Sequence, residues 1–389
     1  MYMRNFIYQN TTKIYFGKGA IGNLKAELQK YGKTVMLAYG RDSIKKNGIY
    51  QTVMDILHSA GKTVVEFNGI MPNPTLKKTR EGIEIAKKNH VDLILAVGGG
   101  SVMDCCKGVA IGVKEPDFWN KYWLNYHPVT ETPLPLATIV TMSGTGSEMD
   151  GGGVITDEET KIKMGRVYSE FNPKFSVVDP EYTYTVGRYQ MVAGVYDAFN
   201  HIMETYFSTD DEDNVSDDIS EAFMKSLIRN VRVALKDERD YTARSNISWV
   251  ACLALSGVIS VGKEGDWEIH NIEHQIGAYT DCTHGMGLAA VTVAYYKHIY
   301  QNGLKKFARF AQNVWGISPD GKSEEELALS GIDALGAFIK EIGAASSLRE
   351  LGLKDPSVLP AIANSCFCAD SGYKQLTNAE ILEILKESW

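Results

Sequence analysis

The sequence predicts an α/β N-terminal domain with a parallel sheet over residues 1–185, followed by an all-α C-terminal domain over residues 186–389. Three observations carry this expectation. Short β-branched apolar runs alternate with helical stretches through the first half. Those runs stop near residue 185, and only long helical patterns follow. A chain of 389 residues also exceeds what one core usually fills, so two domains are expected.

Taken in order, the helical "GNLKAELQKYG" precedes the strand-like "TVMLAYG" (34–40), and "TVVEFNG" (63–69) follows it. The helical "LKKTREGIEIAKKNH" then leads into the strands "VDLILAVGGG" (91–100) and "PLATIVT" (135–141). Strand, helix, strand at this spacing means βαβ units, hence a parallel, Rossmann-like sheet. After "FSVVDPEYTYTV" the period changes to that of helices, as in "YQMVAGVYDAFNHIMETYF", "DDISEAFMKSLIRNVRVALK" and "ALSGIDALGAFIKEIG".

Composition narrows the function. Hydrophobic content of 44% with 23% charged residues describes an ordered globular chain, which excludes disorder. A net charge of -8 with scattered Lys and Arg argues against nucleic-acid and anionic-membrane partners. No basic-then-apolar leader opens the chain and no run reaches membrane-span length, so a cytoplasmic location is expected. The six cysteines show neither C-x-x-C pairs nor the density of a disulfide framework and are read as free thiols. The acidic stretch "STDDEDNVSDD" (208–218) is read as a solvated loop.

Two glycine-containing stretches follow strands. In "LAVGGGSVMD", Gly98, Gly99 and Gly100 end a strand, Ser101 is placed as the cap of the next helix and Asp104 in its first turn. Glycines let the backbone approach a pyrophosphate, and a helix N-terminus presents N–H groups and partial positive charge to it. The stretch lacks both the G-x-G-x-x-G fingerprint and the G-K-[ST] of a P-loop. "TIVTMSGTGSEMDGGGVI" (138–155) adds the hydroxyls of Thr138, Thr141, Ser143, Thr145 and Ser147. Two such loops at the carboxyl edge of one sheet predict a nucleotide site.

The helical half carries metal-ligand chemistry. "YDAFNH" sets Asp197 and His201 four apart on one helical face, and His270, His274 and His284 follow in "EIHNIEHQIGAYTDCTHGMG". Asp197, His201 and two of those three histidines would make a site of nitrogen and oxygen donors suited to Fe2+, Zn2+, Mn2+ or Ni2+. Spacing alone leaves open which two bind. "HNIEH" also spells H-x-x-E-H, so a metallopeptidase or other metal hydrolase using His270, Glu273 and His274 is the alternative.

"GGGSVMDCCKG", "TMSGTGSEMD", "VYDAFNHIMETY" and "IHNIEHQIGAYTDCTHGMG", in this order, resemble the iron-containing (group III) alcohol dehydrogenase family, in its butanol dehydrogenase and NADPH-dependent aldehyde reductase branch. The likeness runs from "KIYFG" to "LTNAEILEIL". It implies a dehydroquinate synthase-like architecture with a deep cleft between the domains, and hydride transfer between NAD(P)H and small to medium aliphatic aldehydes. By resemblance the metal ligands are Asp197, His201, His270 and His284, with Fe2+ the first expectation, and His274 lies beside the substrate. The resemblance also puts the pyridine nucleotide on Gly98, Gly99, Ser101, Asp104, Thr138, Thr141 and Ser147, with Asn73 and Lys163 as further contacts. A homodimer is the expected assembly.

One departure is "YGRDS" (39–43), where relatives carry glycines. Gly40, Arg41 and Ser43 are assigned to the cofactor here. Arg41 falls where NAD-preferring members place an acid, and its guanidinium fits a 2′-phosphate, which favours NADPH over NADH. Asp42 is expected to cap the helix starting near Ser43.

Overall fold

The structure is a computed structural model that describes residues 4–209 and 213–389. The chain divides into two compact units. One is Asn10–Gly187, and in the other the stretch ending at Gln9 joins Arg188–Trp389.

In the first unit, strands β1 (Lys13–Phe16), β2 (Thr34–Tyr39), β3 (Thr63–Phe67), β4 (Leu93–Gly98), β5 (Leu136–Val140) and β8 (Phe175–Val178) form one sheet in the order β1-β8-β5-β4-β2-β3. Every pairing in it is parallel. Parallel strands are covered on both faces, which is why β2 (TVMLAY) and β4 (LILAVG) read as nearly continuous apolar runs. Helices α1 (Leu24–Leu28), α2 (Ser43–Lys46), α3 (Ile49–Ser59), α4 (Leu76–Lys88) and α5 (Gly100–Gly112) supply the cover. Val35, Leu37, Leu95, Val97 and Ile139 are among the residues fully buried beneath them, each contributing about 1.5–3 kcal/mol by leaving water.

From β2 the chain steps outward to β3, then returns across β2 to β4 and continues through β5 to β8. The direction therefore reverses between β2 and β4, and the crevice beyond such a reversal is where open α/β sheets bind ligands. An antiparallel hairpin of β6 (Gly152–Asp157) and β7 (Ile162–Val167), which the sequence reading did not identify, follows β5. The aromatic run at 117–128 packs against it: Trp123 stacks on Phe171 at 5.7 Å and donates Nε1–H to the Gly153 carbonyl at 3.0 Å.

The second unit is helical: α6 (Arg188–Tyr206), α7 (Val215–Ala234), α8 (Tyr241–Ala254), α9 (Glu268–Thr280), α10 (His284–Ile299), α11 (Leu304–Asn313), α12 (Glu324–Ile342), α13 (Leu359–Ser365) and α14 (Asn378–Glu387). Residues 191–206 of α6 are all buried, so it is a central helix with no solvent face.

The solvated-loop reading of the acidic stretch holds only in part: Asp213 and Asp218 are exposed, but the chain is helical from Val215. Residues 210–212 lie outside the described residues, Asn214 caps α7, and Asp217 is fully buried between Lys263 and Lys306. Two cations from distant segments compensate that carboxylate, which local charge counting does not register. All six cysteines are free thiols. No helix among the described residues is long and apolar enough to cross a membrane.

Candidate functional site: a histidine and carboxylate centre with a glycine-lined sheet edge

Spacing along α6 sets the first half of the centre. Asp197, His201 and Glu204 stand at intervals of four and three, so they share one face of a helix that is buried all round. On α9, His270, Glu273 and His274 do the same. His284 is the first residue of α10, and the glycine after it explains how it reaches α6. A Cβ at Gly285 would lie 2.0 Å from the Ala193 carbonyl oxygen, so only glycine lets the start of α10 rest on α6. Gly287 is similarly tight against Glu273, whose Cγ would be 2.8 Å from an added Cβ.

The outcome is convergence on one oxygen. Asp197 Oδ1 lies 3.4 Å from His201 Nε2, 3.6 Å from His284 Nε2 and 3.9 Å from His270 Nε2. Ligand atoms about 2.0–2.1 Å from a tetrahedral ion stand about 3.3–3.4 Å apart, so the His201 and His284 distances come close to those of donors sharing one divalent cation, while the 3.9 Å to His270 is longer. Asp197, His201 and His270 are buried, while the His284 side chain keeps 24% of its surface exposed, so the centre opens toward His284. Burial first, then the neighbouring His270 and His284, hold His201 far below the ordinary imidazole range. It is therefore the neutral base that a metal ligand has to be.

Two buried carboxylates complete the centre: Glu204, which sequence reasoning passed over, and Glu273, which it considered only as part of the hydrolase alternative. Glu204 Oε2 meets His270 Nδ1, and its Oε1 accepts the backbone N–H groups of Ile269 at 2.8 Å and His270 at 3.2 Å. Glu273 Oε2 meets His284 Nδ1. Burial pushes the Glu204 carboxyl up to about 8 against the pull of those two backbone donors. The signal was present as Glu204 three residues after His201 and as the glutamate inside "HNIEH", but only the fold pairs each with its histidine. The His274 ring sits 5.7 Å from that of His284 and 6.2 Å from that of His270. A second compact group, Glu273, His274 and His284, is thereby formed beside the first. Trp267 borders the histidines of both α6 and α9, with its ring 6.1 Å from His201 and 5.4 Å from His270.

This arrangement disfavours the peptidase alternative. An H-x-x-E-H enzyme needs its glutamate facing a water, whereas Glu273 is fully buried with its carboxylate on His284.

In the sheet unit, register brings several predicted residues to one edge. Gly98 pairs with Val140, Tyr39 pairs with Val97, and Thr141 N–H donates to the Gly98 carbonyl at 2.9 Å. Gly40, Gly99 and Thr141 thus follow the ends of β2, β4 and β5 along the carboxyl edge. Gly100 admits no side chain, since Thr145 would be 2.4 Å from a Cβ there. Helix α5 begins at Gly100 with extended Gly99 at its cap. Ser101 is consequently not the cap, and Asp104 lies beyond the first turn; a glycine at the cap lets the chain turn without a side-chain acceptor. Asp42 occupies the cap position of α2 but makes no side-chain capping bond, which corrects the expectation for it. Arg41 and Ser43 are exposed beside it.

Thr138 lies two residues inside the edge, opposite Ala96 and with no exposed surface. Asn73 adopts the left-handed conformation at φ 50°, and Lys163 is buried on β7 opposite Thr156. Asp104 and Ser147 belong to an internal network. Ser147 Oγ donates to Asp104 Oδ1 at 2.8 Å, and Val154 N–H donates to Asp104 Oδ2 at 3.2 Å. Lys107, which sequence reasoning passed over, donates from a fully buried Nζ to Ser147 Oγ, Asp150 Oδ1 and the Gly152 carbonyl at 2.8, 2.9 and 2.6 Å. Burial raises the Asp104 carboxyl to about 6 although Lys107 pulls it down. This network pins the stretch between β5 and β6 onto α5.

Comparison with known proteins agrees with both halves of this picture. Residues 11–180 match the family described as iron-containing alcohol dehydrogenase, and residues 191–389 match the C-terminal domain of the Fe-containing alcohol dehydrogenase family. The chain is 40% identical over 393 residues to the NADH-dependent butanol dehydrogenase A of Clostridium acetobutylicum, covering 100% of both chains. It is 33% identical to the NADPH-dependent aldehyde reductase YqhD of Escherichia coli, covering 92% of both. The crystal structure of NADH-dependent butanol dehydrogenase A from Thermotoga maritima superposes with a TM-score of 0.94 at 36% identity, covering 99% of both chains. With matches spanning nearly its whole length, the chain belongs to the iron-containing alcohol dehydrogenase family and is an NAD(P)-dependent oxidoreductase of alcohols and aldehydes.

Proposed function

We propose that this enzyme interconverts small to medium aliphatic aldehydes of the butanal type and their primary alcohols, using one divalent metal held by Asp197, His201, His270 and His284. The observation that carries the reading is the approach of three imidazole Nε2 atoms to Asp197 Oδ1 within 3.4–3.9 Å. When bound, the metal supplies Lewis-acid polarisation of the carbonyl oxygen, and the nicotinamide supplies the hydride. Fe2+ is the first candidate, in keeping with the family's description, and Zn2+, Ni2+ or Mn2+ suit the same donors.

The chain's own residues do the rest. Asp197 brings one negative charge to three neutral imidazoles, leaving net positive charge at a divalent site, where it strengthens the pull on the substrate oxygen. His274, beside His284 at the mouth of the centre, passes the proton that the product oxygen must gain. Gly98, Gly99 and Ser101 at the start of α5 cradle the pyrophosphate with backbone N–H groups, while Thr141, Asn73 and Lys163 add polar contacts. Gly40 and Ser43 border the adenosine ribose. Thr138, Asp104 and Ser147 act from within the fold, holding the shape of this edge.

Arg41 supports NADPH, because its guanidinium stands at the end of β2, where a 2′-phosphate is read. The NADH-dependent names of relatives at 36–40% identity support the other cofactor. Both steps are tested by kcat/KM for straight-chain aldehydes with NADPH and NADH, in wild type and Arg41→Ala. A wild-type preference for NADH, or undiminished NADPH use by the variant, removes the role of Arg41. Absence of aldehyde reduction with either cofactor removes the reading as a whole.

A further inference from the structure

Metal-binding imidazoles need one nitrogen facing the ion and a proton on the other, and something has to fix which is which. Here α6, α9 and α10 meet without any backbone ladder between them, so side chains have to set the orientation of each ring. Two of the three histidines near Asp197 have a carboxylate on Nδ1: Glu204 from α6 on His270 of α9, and Glu273 from α9 on His284 of α10. Both carboxylates are fully buried. Each bond crosses a helix-helix boundary, so the pair straps the three ligand-bearing helices together. His201 differs, since its Nδ1 is buried and has no hydrogen-bond partner among the described residues.

We infer that Glu204 and Glu273 are positioning residues for the metal centre, which hold His270 and His284 in the Nδ1–H form with Nε2 turned to Asp197. Glu204 has a second task. Its Oε1 takes the N–H groups of Ile269 and His270 in the first turn of α9, so the same carboxylate fixes both the ring and the helix start that carries it. Glu273 is wedged at the other end. Gly287 leaves room for its Cγ and Oε1, which would lie 2.8 and 2.9 Å from an added Cβ, and Cys282 Sγ donates to Oε1 at 3.9 Å. A bound cation favours the ionised form of each buried carboxyl, and the negative charge then held behind each ring raises the basicity of Nε2, so the two glutamates strengthen binding as well as aim it. His201 has neither benefit and serves as the internal control.

The inference rests on the proposed metal site, and its test separates the two. Zn2+ affinity is measured by competition against a chromophoric chelator for wild type, Glu204→Gln, Glu273→Gln, Glu204→Ala and Glu273→Ala. Glutamine keeps an acceptor for Nδ1–H and loses the charge, and alanine loses both. The Kd is expected to rise about 10–100-fold, more for each alanine variant than for its glutamine counterpart. Folding of each metal-free variant is followed by thermal melting, and the near-isosteric glutamine forms keep the test alive if an alanine form does not fold. Proton spectra of the Zn2+-loaded protein give an orthogonal readout. Wild type should show solvent-protected imidazole N–H resonances for His270 and His284, with the first lost in Glu204→Ala and the second in Glu273→Ala. If wild type binds no Zn2+, the metal-site reading fails. If wild type binds Zn2+ and both glutamine and alanine variants match its Kd within twofold, the metal site stands and the inference is overturned.

Discussion

Gly285→Ala places the smallest possible perturbation where the fold has least room. An added Cβ would sit 2.0 Å from the Ala193 carbonyl oxygen, 2.7 Å from its carbon and 3.1 Å from its Cα. All three are backbone atoms of a buried helix, so no side chain can swing aside. Restoring an ordinary contact of 3.4 Å requires α10 to withdraw from α6 by about 1.4 Å. His284 is the neighbouring residue, and its Nε2 would move from 3.6 Å to roughly 4–5 Å from Asp197 Oδ1. Overpacking of this kind costs about 1–3 kcal/mol, and a misplacement near 1 Å at a reacting centre costs about 100-fold in rate. We expect Gly285→Ala to fold with a melting temperature lowered by roughly 2–10 °C, to lose most of its bound metal, and to lose about two orders of magnitude in kcat/KM. Gly336→Ala on α12 is the control, because its Cβ meets only Val293 Cγ2, at 3.4 Å. A Gly285→Ala enzyme with wild-type metal content, melting temperature and kcat/KM would refute the geometric account of how α10 delivers His284.

Other expectations follow from single contacts. Lys107→Met leaves Asp150 and Asp104 buried without their cation, and should lower unfolding free energy in urea by about 3–5 kcal/mol; an unchanged midpoint would show that the network is dispensable. Burial opposes ionisation of Glu27, but hydrogen bonds from Lys30, Tyr15 and Lys13 outweigh it and bring the carboxyl from 4.5 down to about 2. Because the folded value lies below the unfolded one, this stabilisation is complete above pH 4.5 and disappears as pH falls toward 2. Screened by its exposed lysine partners, it is worth about 1–3 kcal/mol, so Glu27→Gln should flatten the acid limb of a stability-pH curve, and an unaltered limb would contradict the assignment. His274→Ala should keep its metal and lose rate with a changed pH profile; loss of the metal instead would make His274 a ligand.

Much of the architecture was legible because burial leaves a plain trace in strands. "TVMLAY" and "LILAVG" have no polar face, which only a sheet covered on both sides explains. The hairpin β6–β7 escaped because it opens on glycines and carries no clean alternation, so its pairing depends on contact with α5 and Trp123 rather than on local preference. The centre was legible to the extent that it is periodic: Asp197 and His201 share a helical face by spacing alone. Pairings across helices were not. Glu204 is 66 residues from His270, and Asp217 is 46 and 89 residues from the lysines that neutralise it. Nothing in a local window tells a buried, compensated carboxylate from a solvated one. The same holds for Ser101, a good capping residue passed over because Gly99 already makes the turn.

The central claim is that four side chains from α6, α9 and α10 bind one divalent metal on which turnover depends. Metal content per chain, measured on anaerobically purified wild type, His270→Ala and His284→Ala alongside aldehyde-dependent oxidation of NAD(P)H, tests it most directly. The account predicts one divalent ion per wild-type chain, with metal and turnover both largely lost in each variant. Full metal content and full activity in both variants would contradict it.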